Sequence, residues 1–334
     1  MEYFVTGATG FIGTSVVEQL IDGGHEVTAL TRSRSNADHL PAEATVVEGN
    51  VTDKERPREP MAGVDGVFHI AAWFYVGPGP RHVETAERIN VEGTRNVLEL
   101  MAELDVPKGV YTSIVGVYPG TSGRELDESV DPPCPTFGVY FRTKWEAHYE
   151  VARPMMEAGL PLVVVQPGAV YGPGDKPYGS ARAAFRDYLT GDLPMIPRDF
   201  KLPFDYVEDA ADAHVRAMAD GTPGEEYIVA SEPRTMVEVF EVAEEITGVS
   251  APRAAPGWVF GGLAKAVGVA ERVVTPPEGF ESELLAFFAG RQYDTDNSTA
   301  RRELGIDHRS LRAGLRDYFE WEREQLASAP RSDA

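Results

Sequence analysis

The chain has 334 residues, with 31 Lys+Arg against 53 Asp+Glu for a net charge of −22, 43% hydrophobic residues and one cysteine. The acid excess argues against nucleic acid or an anionic membrane as partner, since both need a basic face, and the lone Cys134 excludes an internal disulfide framework or a thiolate metal cluster. The length gives room for two lobes, no apolar run reaches the roughly 18–20 residues of a membrane span, and no basic, then apolar, leader precedes the first strand, so the expectation is a globular cytoplasmic protein.

In chain order, Glu2–Thr6 reads as a first strand and Phe11–Asp22 as a helix that stops at Gly23-Gly24. Strands are predicted at Glu26–Thr31, 44–48 and 64–72, the last continuous and apolar, as a doubly covered strand should be. A long amphipathic helix over 84–104 precedes a strand at 110–113, a helix over 137–157 and a strand at Leu162–Gln166. Strands alternating with helices predict a doubly wound α/β Rossmann parallel sheet. After Pro167 the elements shorten. One more strand at 226–230 should return to the sheet, and helices follow at 235–247, 281–289, 299–305 and 310–326. The stretch 251–280, rich in Pro and Gly, gives no assignment. The expected division is a dinucleotide-binding domain over 1–166 joined by 205–230, a smaller, mostly helical substrate lobe from 167–204 and 231–327, and a flexible tail at 328–334.

The first strand runs into Thr6-Gly7-Ala8-Thr9-Gly10-Phe11-Ile12-Gly13, and a helix opens there. In that setting Gly7 permits the tight turn, Gly10 lets the backbone approach a pyrophosphate, and Gly13 lets helix and strand pack closely. The helix N-terminus then offers free N–H groups and a positive dipole end to an anion. About 19 residues past Gly13, where a carboxylate would bond the ribose 2′-OH of NAD, the chain has Thr31-Arg32-Ser33-Arg34. An arginine there suits a 2′-phosphate, so NADP(H) is expected and NAD(H) is the alternative; two solvated surface arginines are the other reading.

Tyr140 and Lys144 stand at i, i+4 of one predicted helix and so share a face. A nearby ammonium favours the phenolate and should draw the Tyr pKa down from about 10, so that the phenol can give a proton to a carbonyl or take one from an alcohol. YxxxK alone is common by chance, with a core Tyr and a surface Lys. It gains meaning behind the fifth strand of a chain whose first turn is glycine-rich.

Together these segments resemble the extended branch of the short-chain dehydrogenase/reductase superfamily, the NAD(P)-dependent epimerase/dehydratase family, over nearly the whole chain. The likeness rests on TGATGFIG at Thr6–Gly13, GNVTD with Asn50 and Val51, HIAA with Ala71 and Ala72, Asn90 in NVEGTRNVLE, the Tyr140/Lys144 pair, QPGAVYGP with Pro167, Gly168 and Val170, and the 204–214 segment around Tyr206-Val207-Glu208-Asp209. It implies a dinucleotide held by Gly7, Thr9, Gly10, Phe11, Ile12, Gly13, Arg32, Asn50, Val51, Ala71, Ala72, Thr112, Tyr140, Lys144, Pro167, Gly168 and Val170. It also implies catalysis by Tyr140 and Lys144, with Ser113 and Asn90 in support, and dimers built from the 84–104 and 137–157 helices. HIAAW at 69–73, YLTGDLP at 188–194, TARRELGI at 299–306 and Trp321 are most similar to dihydroflavonol-4-reductase-like members. These reduce a carbonyl with NADPH.

Three positions depart from the family pattern. Asn50 replaces an acid in the adenine pocket, Gln166 replaces an arginine, and Ile114 stands where a Ser or Thr should bond the substrate carbonyl. Ser113 is one residue earlier, and strand alternation sends neighbours to opposite faces. The expectation is reversible hydride transfer between NADP(H) and a small-molecule carbonyl or secondary alcohol. A nucleotide-sugar epimerase or dehydratase and a dinucleotide-binding sensor with weakened catalysis are the rivals. Trp73, Phe74 and Tyr75 read as core packing or as a substrate wall, no histidine cluster suggests a metal, and Cys134 reads as an incidental thiol. Only six of the basic residues are lysines, a balance that suits either a halophilic enzyme or an acidic surface kept for solubility.

Overall fold

Seven short strands meet in one parallel sheet: β1 (Glu2–Thr6), β2 (Glu26–Thr31), β3 (Thr45–Glu48), β4 (Gly66–His69), β5 (Gly109–Thr112), β6 (Leu162–Gln166) and β10 (Glu226–Ile228). The computed structural model describes residues 1–74, 82–121, 123–175, 180–271, 273–274, 276 and 280–328. Tyr75 and residues 329–334 of the expected tail lie outside the described residues. The sheet order is β10-β6-β5-β4-β1-β2-β3. The winding reverses between β1 and β4, where a doubly wound sheet opens its ligand crevice beyond the carboxyl ends of the strands.

Strands β4, β5 and β6 are buried at every residue because helices cover both faces of the sheet. Val16, Leu20, Ala211 and Ala217, from the helices Phe11–Asp22 and Val207–Asp220, close one face. Val97, Met101, Ala147 and Val151 close the other. The expected strand over 64–72 stops its ladder at His69, because residues 70–74 leave the sheet for the wall of a cavity. The two long helices form as continuous runs, Val83–Ala86 through Glu103 and Val139–Trp145 through Glu157, each widened by a π segment, at Glu87–Glu92 and Glu146–Ala152. Asn90 and His148 sit in these widened turns.

Much of the chain after Pro167 stands over the carboxyl edge, while Ala300, Leu304 and Ile306 pack with Val16 and Ala217 on the sheet face. β7 (Ala169–Tyr171), β9 (Lys201–Tyr206) and β11 (Pro233–Thr235) form a small sheet in the order β11-β9-β7, and β8 (Met195–Pro197) pairs with β12 (Arg253–Ala255). Phe185, Tyr188, Phe240, Tyr318 and Phe319 fill the core beneath them. The unassigned stretch contains a helix, Gly257–Ala270. Its glycines lower helix propensity and hid it from periodicity, but packing requires at least one of them: a Cβ on Gly257 would lie 2.5 Å from Gly290 N.

Candidate active site

A cavity of about 630 Å³ opens at the carboxyl ends of the strands. Its first wall is the β1 turn, with Gly7, Thr9, Gly10, Phe11, Ile12 and Gly13. Gly7 has φ +73, and a Cβ there would meet Ala71 N at 2.6 Å; a Cβ on Gly13 would meet Gly7 O at 2.0 Å. Both glycines therefore serve backbone approach, as the motif requires. The helix that starts after Gly10 has no side-chain cap and no acid in its first turn. Its N-terminal N–H groups face the cavity wall without a competing carboxylate, which fits the diphosphate of a dinucleotide.

Arg32, Asn50, Val51, Ala71 and Ala72 continue that wall, and Pro167, Gly168 and Val170 close it from the opposite side. Asn50 Oδ1 accepts from Thr52 N at 3.2 Å, so the amide that replaces the family's acid shapes its own turn. Asn90 is buried behind the wall. Its amide accepts from Trp73 N at 2.7 Å and donates to Trp73 O at 3.1 Å and Thr143 Oγ1 at 2.9 Å, pinning the 70–74 loop to the Tyr140/Lys144 helix. His69 bridges Thr6 Oγ1 (2.8 Å) and Thr94 Oγ1 (2.9 Å), and burial holds it neutral with a pKa down to about 3.

Tyr140 and Lys144 both line the cavity. Phe74 meets the Tyr140 ring edge-on at 4.8 Å. The expectation that Lys144 draws the phenol pKa down is corrected: burial pushes the Tyr140 phenol up. The reason is where the amine points. Lys144 Nζ donates to Thr112 O at 2.6 Å and Tyr111 Oη at 3.1 Å, and lies 4.6 Å over the Tyr111 ring. Burial pushes Lys144 down to about 7. Tyr111 was not anticipated from the sequence; its place on β5 opposite the YxxxK face was the available signal.

The β5 hydroxyls are committed elsewhere. His214 Nδ1 donates to Ala210 O at 2.7 Å, and burial keeps the ring neutral with a pKa down to about 4, so its Nε2 accepts from Thr112 Oγ1 at 2.8 Å. Thr112 thus turns its hydroxyl to the far face of the sheet and only its carbonyl meets Lys144. Ser113 lines the cavity, yet its side chain is fully buried and its Oγ lies 2.9 Å from His148 Nδ1. His148 Nε2 in turn lies 3.1 Å from Glu226 Oε1, and Glu226 also accepts from Arg153 Nε at 2.9 Å. Burial alone would raise the Glu226 carboxyl, but His148 and Arg153 together outweigh it and hold it at about 2. Gln166 Nε2 reaches the same carboxylate at 3.3 Å. Ile114, beside Ser113, presents only carbon to the cavity.

The other half of the cavity was not anticipated residue by residue. Phe185, Phe200, Leu202, Phe204, Met236 and Phe287 line it, from segments whose periodicity carried little signal. Trp73 and Phe74 belong to the same wall, so this pair of the aromatic cluster faces the cavity. Among the described residues, the charged side chains of the lining are Arg32, Lys144 and Asp175. Cys134 does not line it.

The family described as NAD dependent epimerase/dehydratase matches residues 3–230. A Synechocystis sp. protein named "Putative dihydroflavonol 4-reductase" is 30% identical over 96% of this chain and 94% of its own. Sterol demethylase protein B of Methylococcus capsulatus is 30% identical over 97% of this chain and 99% of its own. The crystal structure of gox2253 superposes with a TM-score of 0.81 at 28% identity, over 97% of this chain and 98% of that one. UDP-glucose 4-epimerase of Thermotoga maritima, solved with UDP-glucose, gives 0.77 at 25% identity, over 98% of this chain and all (100%) of its own. With the glycine turn, the Tyr140/Lys144 helix and the seven-stranded parallel sheet in place, this chain belongs to the NAD-dependent epimerase/dehydratase family of extended short-chain dehydrogenases/reductases.

Proposed function

We propose that the chain transfers hydride between NADP(H) and an apolar carbonyl compound or the matching secondary alcohol, as a dihydroflavonol-4-reductase-like enzyme. The observation that carries this reading is the lining of the substrate half. Phe74, Phe185, Phe200, Phe204 and Phe287 surround the space beyond Tyr140, and among the described residues the lining cations are Arg32 and Lys144, both in the dinucleotide half. A nucleotide sugar would bring a second diphosphate, which needs cations or open N–H groups where this cavity offers rings.

The bound nicotinamide would supply or accept the hydride. Tyr140 Oη holds the proton that completes the alcohol, and its raised pKa keeps it a donor at neutral pH. Lys144 Nζ, held on Thr112 O at 2.6 Å, would bond the ribose hydroxyls of the dinucleotide. Asn90 fixes the 70–74 loop so that Phe74 stays against Tyr140. Arg32, a guanidinium lining the dinucleotide half, suits a 2′-phosphate, which supports NADP(H) over NAD(H). With Ser113 turned to His148 and Ile114 apolar, Tyr140 is the one hydroxyl of the expected set left to address the substrate oxygen. Residues 1–166 with 205–230 form the cofactor-binding body in this reading, and 167–204 with 231–327 form the substrate lobe.

The test is a panel of aromatic and alicyclic ketones with NADPH or NADH, followed by loss of absorbance. Steady net consumption of NADPH is expected. Tyr140→Phe should lose on the order of 10²–10⁴ in rate while calorimetric dinucleotide binding persists. Arg32→Ala should weaken NADPH roughly tenfold or more and leave NADH nearly unchanged. Interconversion of a UDP-sugar without net reductant use, or an unaltered rate in Tyr140→Phe, overturns the reading.

A further inference from the structure

Among the described residues, nine large apolar side chains are exposed, and six of them fall between 258 and 280: Trp258, Leu263, Val269, Val273, Val274 and Phe280. The helix Gly257–Ala270 explains the clustering. Its inner face, with Phe260 and Ala264, packs on Leu285 and Phe288 of the following segment. Its outer face, at helical spacing, carries Trp258 (78% exposed), Gly262, Lys265, Ala266 and Val269 (65% exposed), and Val273 (84% exposed) extends the stripe past the helix end. Lys265 is the one charged residue within the helix. A surface helix normally turns such a stripe to the core; this one turns a second stripe outward.

We propose that this outer face is a docking surface for an uncharged lipid bilayer, on which the Gly257–Ala270 helix lies in the interfacial plane. Charge supports that occupant. Residues 251–280 hold Arg253, Lys265 and Arg272 against Glu271 and Glu278, so the segment is close to neutral within a chain of −22. The chain as a whole repels anionic surfaces, and this segment alone can meet an apolar one without bringing that charge into contact. The dimensions agree. Fourteen residues give a helix of about 21 Å, too short for the roughly 30 Å core of a bilayer but ordinary for a helix lying on it, and no described helix is long and apolar enough to cross a membrane. Lys265 can extend its ammonium to the headgroups while its stem lies along the stripe.

Position adds a reason for the contact. Phe288, against which Phe260 packs at 6.4 Å, lines the cavity together with Leu284 and Phe287. The docked helix would therefore lie one side-chain layer from the substrate half. A second copy of the chain is a poorer occupant. Six exposed side chains, three of them on the stripe, fall short of the roughly 20–30 residues per partner that a stable interface uses. The proposal stands on exposure and charge and is read out without turnover, so it can fail while the proposed reaction holds, and the reverse.

The full chain is mixed with phosphatidylcholine vesicles and sedimented, and Trp fluorescence is followed with brominated lipid. Co-sedimentation and quenching are expected, with quenching much reduced in Trp258→Phe. Val269→Asp and Trp258→Ser should each lower partitioning roughly tenfold or more, with the ketone-reduction rate unchanged in detergent-free buffer. Absence of partitioning at millimolar lipid, equal partitioning by Val269→Asp, or binding that requires anionic lipid overturns the proposal. A dimer in sedimentation velocity that Val269→Asp dissolves also overturns it, in favour of a second copy on the same face.

Discussion

Replacing Lys144 by Met should change the stability of the cofactor-free protein in a way that reverses sign with pH. The amine is enclosed, and burial lowers its pKa from 10.5 to about 7. Between those values the unfolded chain binds a proton that the folded chain does not, so wild-type stability rises as pH rises through that window. Below it both states are protonated and the full cost of the buried charge is present. The interval corresponds to roughly 5 kcal/mol, of which about 4 remain at pH 7 and about 2 at pH 9. Lys144→Met removes that cost but leaves Thr112 O and Tyr111 Oη without the donor they now have at 2.6 and 3.1 Å, a loss of about 1–2 kcal/mol. The variant should therefore be more stable than wild type by roughly 2–3 kcal/mol at pH 7, less stable by about 1 kcal/mol near pH 10.5, and equal to it between about pH 9 and 10. Urea unfolding of both proteins without dinucleotide, at intervals from pH 6 to 10.5, gives the two curves. A constant offset between them, or a wild-type curve that is flat from pH 7 to 10, refutes the assignment of a strained amine at this position.

Glu226→Gln should act at the acid end. The folded carboxyl is held at about 2 against an ordinary value of 4.5, so its contribution is complete above pH 4.5 and is lost as pH falls through 2. About 3 kcal/mol of pH-dependent stability should vanish from that window in the variant, measured by acid unfolding. Gly13→Ala would drive a Cβ to within 2.0 Å of Gly7 O, so the turn must shift. A loss of roughly 3 kcal/mol or more and the disappearance of calorimetric dinucleotide binding are expected together. Thr235→Ala breaks the capping box in which Thr235 Oγ1 accepts from Glu238 N at 3.2 Å, and should cost about 1 kcal/mol in thermal unfolding with cofactor affinity unchanged.

The sheet was legible because its strands are short continuous apolar runs between helical patterns. Glu2–Thr6, Phe11–Asp22, Glu26–Thr31 and Leu162–Gln166 form with the bounds their residues suggested. What periodicity missed lies after Pro167. β7, β8, β11 and β12 are three residues each, too brief for alternation to register. The Gly257–Ala270 helix was hidden for another reason, since its four glycines lower helix propensity and apolar residues on both of its faces blur the period. The π segments were also invisible, because they preserve the helical run and alter only the angular place of the residues that follow.

The site was legible where one residue type has one use and illegible where a side chain had a choice of partner. A glycine at 7 or 13 can be read from sequence because a Cβ there has nowhere to go. Lys144 could be placed on the right face but not aimed. Spacing on a helix fixes a Cβ direction, while a four-carbon stem ends wherever the strongest acceptor lies, and here that is a β5 carbonyl. Ser113 poses the same problem in a shorter side chain. Alternation along β5 left open whether it would face away from the position of Ile114, and the structure supplies its partner: Ser113 Oγ lies 2.9 Å from His148 Nδ1 in a widened turn of the Tyr140/Lys144 helix, and Glu226, itself paired with Arg153, lies 3.1 Å from His148 Nε2. In a chain with Arg at 166 or a second hydroxyl at 114 that hydrogen bond would have competitors. Here Gln166 Nε2 approaches Glu226 at 3.3 Å and Ile114 carries no hydroxyl, so Ser113 keeps His148 as its partner, and of the hydroxyls expected at the site Tyr140 is the one without such a commitment.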